Sequence, residues 1–545
     1  MKKRYTFLAK NWLRFGLTAA FAGSLSFSAS SQIGPAKQWD KTFGGSGEDV
    51  IYSLQQTSDG GYILGGTSKS ALGGDKSQAS RGLSDMWVVK LDKNGNKIWD
   101  KTFGGSDDDF LFSLRQTADG GYLLGGASSS GIGGDKTQAN KGTEDYWIIK
   151  IDSLGNKTWD KSFGGNSFDR LMSLQQTSDG GYILGGSSST DINGDKSQPS
   201  KGSSDYWIIK LDSNGNKIWD KSIGGTSIEG FYSLEQTLDG GYILNGYSSS
   251  DIGGDKTQFS IGGDDFWIVK LDSVGNRLWD KTLGGNGYEY ISKIRQTSDG
   301  GYILGGRSDS GIGFDKSQAS KGNYDYWVLK LNANGNKIWD KTIGGSDADY
   351  FSDLQQTSDG GYILGGTSIS SISGDKTQSG SGAFDYWIVK LDGGGNKLWD
   401  RTIGGRDNEG FSSLQQTSDG GFILGGSSLS GITGDKSQIA KGDYDFWIVK
   451  LAAEVTGIKE PEANFNVFIS PNPNQGKFTL QLSNLTSAKA EVTVSDLLGR
   501  VVLQQQLNVS NKQLSEELIL PHAKGLYLLH VKAGEQVITR KIVVE

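Results

Sequence analysis

Asp205-Tyr206-Trp207-Ile208-Ile209-Lys210-Leu211-Asp212-Ser213-Asn214-Gly215-Asn216-Lys217-Ile218-Trp219-Asp220 holds two apolar runs on either side of a tight polar turn. Asn-Gly between β-branched and aromatic residues is a strong hairpin signal. The stretch returns, little changed, every 60 residues. Trp207 belongs to the series Trp87, Trp147, Trp207, Trp267, Trp327, Trp387 and Trp447; Trp219 belongs to Trp39, Trp99, Trp159, Trp219, Trp279, Trp339 and Trp399. With Trp12 these account for all 15 Trp, and no insertion or deletion breaks the period. Self-similarity at a fixed period is the signature of a repeat architecture.

Outward from that hairpin, each unit offers four strands. In the first unit these are Ile51–Thr57, Tyr62–Thr67, Met86–Leu91 and Lys97–Phe103. Asp59-Gly60 and Asn94-Gly95 mark two tight turns, and a long polar loop runs from Ser68 to Ser84. No stretch has helical periodicity. Four-stranded units in series predict propeller blades. The repeats open on a fourth strand at Gln38–Lys41 and stop on a third strand at Phe446–Leu451. A ring lets the N-terminal strand complete the last blade, which predicts seven blades and leaves no long free sheet edge. The expected fold is all-β: a seven-bladed β-propeller over residues 37–452, then a small β-sandwich. Blades stacked on both sides explain apolar runs such as Tyr146-Trp147-Ile148-Ile149, and the Trp series reads as core.

The unit resembles the bacterial seven-bladed propeller repeat family (SBBP). The matching residues are Asp205, Trp207, Lys210-Leu211-Asp212, Gly215-Asn216, Trp219, Gly224-Gly225 and Asp239-Gly240-Gly241-Tyr242. It also looks like a Kelch-type blade, with a Gly-Gly strand, a long loop and a later Trp. After the linker at 453–464 the pattern changes. Phe468-Ile469-Ser470-Pro471-Asn472-Pro473, Gly476-Lys477-Phe478, Asp496-Leu497-Leu498-Gly499-Arg500, Gly525-Leu526-Tyr527 and Lys541-Ile542-Val543-Val544-Glu545 are similar to the type A sorting domain of the Bacteroidota type IX secretion system. The resemblance implies a β-sandwich over 465–545 that engages the type IX machinery and directs the protein to the outer cell surface or the medium. Residues 1–31 read as a signal peptide: a basic start, a short apolar run over Phe15–Phe27 and small residues at Ala29-Ser30-Ser31. That run is too short to span a bilayer, so no membrane span is expected in the mature chain.

Composition narrows the chemistry. There is no Cys, and the two His, His522 and His530, fall in the sorting module. Thiolate nucleophiles, Ser-His-Asp triads and His- or Cys-bound metals are thereby excluded from the repeats. A net charge of −7 shows no basic face for nucleic acid. Gly131-Ile132-Gly133-Gly134-Asp135-Lys136 lacks the spacing of a phosphate-binding loop.

Two sets of loop residues are candidates. One acid recurs before each first strand: Asp49, Asp109, Asp169, Glu229, Glu289, Asp349 and Glu409. Three roles compete for this ring: structural hydrogen bonding, Ca²⁺ binding with a sparse oxygen supply, and a catalytic carboxylate pair. The structural role is expected, so no cofactor is, and Ca²⁺ remains the one candidate. A ring of Asp-Lys pairs such as Asp75-Lys76 is expected nearby. Specific recognition should sit where copies differ. The position held by Glu48, Asp108, Ala348 and Asn408 becomes Phe168, Ile228 and Tyr288 in three successive units, and the long loop carries Phe259 and Ile261 in the same sector. An exposed apolar patch marks interaction. The expected function is a non-enzymatic binding or adhesion module for a glycan or protein. A polysaccharide-degrading enzyme and a structural surface protein are the alternatives.

Overall fold

A computed structural model describes residues 32–454, 465–496, 500–520, 524–534 and 536–545. The expected signal peptide, most of the linker and His522 lie outside the described residues. Among the described residues the regular structure is strand throughout, and no helix is long and apolar enough to cross a membrane.

The first full unit shows how the repeat folds. Asp49–Gln56, Tyr62–Ser68, Asp85–Leu91 and Lys97–Phe103 pair antiparallel in sequence order. Gly60 sits at φ +80° in the first turn, a conformation that glycine adopts without steric cost. Asp59 holds that turn by accepting from the Gly61 amide at 2.9 Å and the Thr57 hydroxyl at 2.5 Å. The Asp-x-Asn-Gly-Asn turn works alike: Asp212 accepts from the Asn214 and Asn216 amides at 2.9 and 2.8 Å.

The third strand is buried along its whole length in every copy, as Asp85–Leu91 illustrates. Its Trp87 is fully buried and donates its indole N–H to Asp100 at 3.2 Å. Lys90 is buried too, because its ammonium reaches Asp59 at the hairpin tip and caps the Leu91 carbonyl. Neighbouring units interlock through rings. Trp87 meets Phe446 at 4.8 Å between centroids, and Trp99 meets Tyr122 edge-on at 6.1 Å. The Gly-Gly pair makes room for this approach: a Cβ on Gly65 would lie 2.8 Å from the Leu111 side chain of the next sheet.

Six such sheets run from Asp49 to Ile403, the sixth extended by a parallel two-residue strand, Gln32–Ile33, on Lys397–Ile403. A seventh joins Glu409–Gln416, Phe422–Ser428 and Asp445–Leu451 to Lys37–Phe43. Its register pairs Lys37 with Leu451 and Phe43 with Phe446. The contacts that join successive sheets also join the last to the first: the Asp49 amide donates to the Tyr444 carbonyl at 2.6 Å, as the Asp109 amide does to Ser84.

The chain divides into two units, 1–453 and 454–545. In the second, Asn466–Ser470, Lys477–Ser483 and Gln513–Ile519 form one sheet. Val501–Asn508, Lys489–Asp496, Gly525–Ala533 and Gln536–Val544 form another. Phe478, Leu480, Leu518, Val492, Leu529 and Ile542, drawn from both sheets, share one core. His530 is tied by Nδ1 to the Thr539 hydroxyl at 2.9 Å.

Candidate functional site

All seven acids, each the first residue of a first strand rather than a loop residue before it, are fully buried. Each carboxylate accepts from a glycine amide in the loop before it: Asp49 from Gly45 at 2.7 Å, Asp169 from Gly165 at 2.9 Å, Glu229 from Gly225 at 2.7 Å, Glu289 from Gly285 at 2.9 Å. Asp109, Asp349 and Glu409 do the same with Gly105, Gly345 and Gly405. A hydroxyl at the end of the next strand adds a second bond, such as Ser70 to Asp49 at 2.8 Å. Burial raises the pKa of Asp49, Asp109, Asp349, Glu229 and Glu409, against these hydrogen bonds. The ring thus bolts each inter-sheet loop to the sheet it enters. Among the described residues no three Asp, Glu, His or Cys side chains gather as a metal cluster.

Asp75 and Lys76 do not pair with each other. Lys76 turns inward to the Ser68 hydroxyl at 2.7 Å, and burial pushes its ammonium down to about 8. Asp75 accepts from the Gly44 amide and pairs with Lys441 of the preceding sheet. The same cross-sheet ion pair recurs as Lys141–Asp195, Lys201–Asp255 and Lys321–Asp375.

Phe168 and Tyr288 each belong to an aromatic group. In one, the Arg170 guanidinium lies 4.7 Å from the Phe168 ring and 5.7 Å from Phe112, and grips Glu144 through two bonds at 2.7 and 2.8 Å. Tyr52 meets Phe112 at 5.2 Å. The other group is longer. Tyr288 stacks on Tyr290 at 6.4 Å, and rings continue through Tyr324, Tyr350 and Phe384 at 6.3 Å steps, and back to Tyr247 and Tyr232. Arg307 sits among them, 4.9 Å from Tyr290, 5.4 Å from Tyr324 and 4.9 Å from Tyr350. Burial raises the pKa of Tyr232, Tyr247, Tyr290 and Tyr324, so their hydroxyls remain protonated donors.

Tyr288 and Ile228 are 48% and 44% exposed; Phe168 and Ile261 are half-buried. Phe259 is the most exposed of the five at 65%. Its neighbour Gln258 is anchored to the outermost strand through the Thr282 amide, and among the described residues no ring contact joins Phe259 to Tyr288. The signal for Tyr290, Arg307, Tyr324, Tyr350 and Phe384 is present in the sequence as divergence at repeat positions two, nineteen and thirty-six residues after the Phe168–Tyr288 column.

The first strands of all seven sheets line one cavity of about 470 Å³. Most of the lining is Ser and Gln. Tyr52, Phe112, Met172 and Tyr232 form an apolar arc on four successive sheets, where Ser292, Ser352 and Ser412 stand in the other three. Five charged residues break the repeat here: Arg115, Glu235, Lys293, Arg295 and Asp353. Sequence reasoning treats the acids as repetitive and passes over these five.

Residues 468–545 match the family described as a secretion system C-terminal sorting domain. The regulatory protein FlaEY of Caulobacter vibrioides is 24% identical over 291 residues, which cover 49% of this chain and 30% of that protein. The chain therefore spans less than a third of that relative. Among solved structures, prolyl oligopeptidase B from Galerina marginata aligns at 10% identity and a TM-score of 0.39, covering 81% of this chain and 56% of that one. A glycoside hydrolase of family 32 from Bifidobacterium adolescentis aligns at 8% identity and 0.27, covering 93% and 96%. The C-terminal module is a type IX sorting domain, and the protein is exported through that system to the cell surface or the medium.

Proposed function

We propose that residues 37–452 close into a seven-bladed β-propeller of SBBP/Kelch type that binds a glycan at the cell surface or in the medium, without catalysis. The pairing of Lys37–Phe43 with Asp445–Leu451 supports closure, as does the Gln56 amide donating to Gln415 at 2.7 Å across the first and last sheets. A signal peptide at 1–31 takes the chain to the periplasm, and the sorting domain takes it onward. The observation that carries the binding role is the run of rings from Tyr247 through Tyr288 and Tyr290 to Phe384, built on three adjacent sheets and longer than the Phe168–Phe112–Tyr52 group. Aromatic faces stack on sugar rings, and protonated tyrosine hydroxyls and Arg307 supply donors at its edge.

The test is a screen of the full chain against bacterial and plant polysaccharides, with and without Ca²⁺, following binding and reducing-end release together. Binding without release is expected, weakened at least tenfold by Tyr290→Ala and by the double change of Tyr288 and Tyr350 to Ser. Unchanged binding in both variants refutes the arc. Sugar release selects a second reading, a polysaccharide hydrolase. One observation favours it: Glu235 and Asp353 are sheet-specific carboxylates that share the cavity.

A further inference from the structure

The cavity strands carry two belts of hydrogen bonds between sheets. In the lower belt, a side-chain oxygen accepts from a backbone amide of the next sheet. Gln55 accepts from Gln116 at 2.8 Å, Gln175 from Gln236 at 2.8 Å, Glu235 from Gln296 at 2.9 Å, Gln355 from Gln416 at 2.7 Å and Gln415 from Gln56 at 2.7 Å. The two remaining positions are Arg115 and Arg295, and a guanidinium has no acceptor to offer. In the upper belt, Ser53, Ser113, Ser173 and Ser233 accept from the next sheet at 3.3–3.4 Å, and Asp353 accepts from the Leu414 amide at 3.1 Å. Lys293 interrupts it, and Ser413 turns to Asp353 instead. Three cations therefore stand where the repeat otherwise places acceptors that join the sheets. A residue that breaks the local rule of its own repeat, with no gain to the fold, marks a functional site.

Three cations share the cavity with two carboxylates, Glu235 and Asp353, so positive charge is in excess. Arg115 donates to the Leu114 carbonyl at 2.9 Å. Neither the Lys293 nor the Arg295 side chain makes a hydrogen bond or ion pair among the described residues. The two carboxylates accept from backbone amides, Glu235 from Gln296 and Asp353 from Leu354 and Leu414, and act on Lys293 and Arg115 through their charge alone. The Tyr52, Phe112, Met172 and Tyr232 arc lines the same cavity, Arg115 sharing a strand with Phe112, and Ser and Gln fill most of the rest. Cationic residues, an apolar arc and a lining of hydroxyls and amides together fit a hydroxylated ring that bears a carboxylate. At about 470 Å³ the space suits a small ligand or the end of a chain.

We propose that this cavity is an anion site that takes a sugar acid, with Lys293 and Arg295 holding its carboxylate and Arg115 adding charge. The inference deepens the glycan-binding reading by naming the ligand class. Tyr232 borders both this cavity and the outer ring arc, but the variants that test each leave it in place, so the two fail separately. Lys293 supplies a reporter: burial and Arg295 push its ammonium down to about 7, with Arg115 acting in the same sense and Asp353 and Glu235 against it. A bound carboxylate favours the charged form.

The experiment is calorimetric titration of the full chain with galacturonate, galactose and inorganic phosphate at pH 7.5, in two buffers of different ionisation enthalpy. Lys293→Ser and Arg295→Gln, alone and together, return each position to the residue its sister sheets use. Galacturonate is expected to bind at least tenfold tighter than galactose, with proton uptake that Lys293→Ser abolishes. The double variant is expected to lose galacturonate binding at least tenfold while unfolding ~1–2 °C higher, because the inter-sheet acceptors return. Equal affinity for galactose, or undiminished galacturonate binding in the double variant, overturns the proposal. Phosphate binding without galacturonate binding overturns the sugar-acid assignment. Loss of polysaccharide binding in the arc variants alone, with galacturonate binding intact, bears only on the outer arc.

Discussion

Asp325–Leu331 and Glu289–Gln296 are the third and first strands of one sheet, and they have opposite histories in the repeat. The third strand hardly varies: Asp-Tyr-Trp-Val-Leu-Lys-Leu here, Asp-Tyr-Trp-Ile-Ile-Lys-Leu two sheets earlier. It is buried throughout between neighbours that are themselves copies, so a change must fit both sides. The first strand, Glu-Tyr-Ile-Ser-Lys-Ile-Arg-Gln, keeps an acid at its start, apolar residues at its third and sixth positions and Gln at its end. Glu289, Ile291 and Ile294 are buried; Tyr290, Lys293 and Arg295 look toward the cavity and its mouth, and these differ from copy to copy. Fidelity follows the bonds and packing between sheets, and divergence is concentrated at the cavity.

The sharpest way to break this comparison is to damage the third strand. Trp207 is fully buried, touches Tyr146 of the adjoining sheet at 4.9 Å and donates to Asp220 at 3.1 Å. Trp207→Ala is expected to cost about 3–5 kcal/mol in denaturant unfolding. A loss below ~1 kcal/mol would show that the sheets do not depend on their shared faces. Asp220→Ala comes next. It strips acceptors from the Trp207 indole, the Ser197 amide and Lys217, all within 3.1 Å, and the expected cost is about 2–3 kcal/mol.

These two expectations were within reach of the sequence; the cavity was not. The Trp period, the Asn-Gly and Asp-Gly turns and the apolar third strand are local signals, each decided within a few residues. The half-units at 38–41 and 446–451 pointed to the pairing of Lys37–Phe43 with Asp445–Leu451. A lysine inside an apolar strand, Lys90, became intelligible only when the hairpin brought Asp59 to its ammonium. Lys293, Arg295 and Arg115 lie up to 180 residues apart and look like ordinary polar changes in a polar strand. Only the arrangement of seven first strands around one cavity makes them neighbours. Phe259 shares a sector with Tyr288 in the sequence, while its neighbour Gln258 is tied to the outermost strand through the Thr282 amide.

Acid provides a test that touches the conserved framework without mutation. Burial pushes Asp265, Asp325 and Asp445 up to about 6, each the first residue of a third strand with a second carboxylate from the ring nearby. In the unfolded chain such groups titrate near ~3.9. Between those values the folded state binds more protons than the unfolded one, so stability falls as pH rises through the window and the cost is complete above it. Asp59, Asp119, Asp179 and Asp299, held down to about 2, surrender their stabilisation only below the window. The melting temperature is therefore expected to be higher at pH 5 than at pH 6.5. A fall in stability on going from pH 6.5 to pH 5 would mean that the buried acids do not govern the framework.

The smallest effect sharpens the comparison most, because it runs the divergence in reverse. Gln175 is a belt residue whose amide oxygen accepts from the Gln236 amide at 2.8 Å. Gln175→Arg installs in this sheet the residue that Arg115 and Arg295 represent in theirs. It removes one inter-sheet acceptor and adds a third guanidinium to the cavity. The lost bond is expected to cost about 1 kcal/mol in denaturant unfolding. That is well below the cost of Trp207→Ala, because the cavity side of the first strand remains open to water and a solvent molecule can take over the freed amide. If the change instead costs as much as the buried Trp, the cavity strands are as constrained as the third strands. Arg115, Lys293 and Arg295 would then have to be held by the fold rather than kept for a ligand.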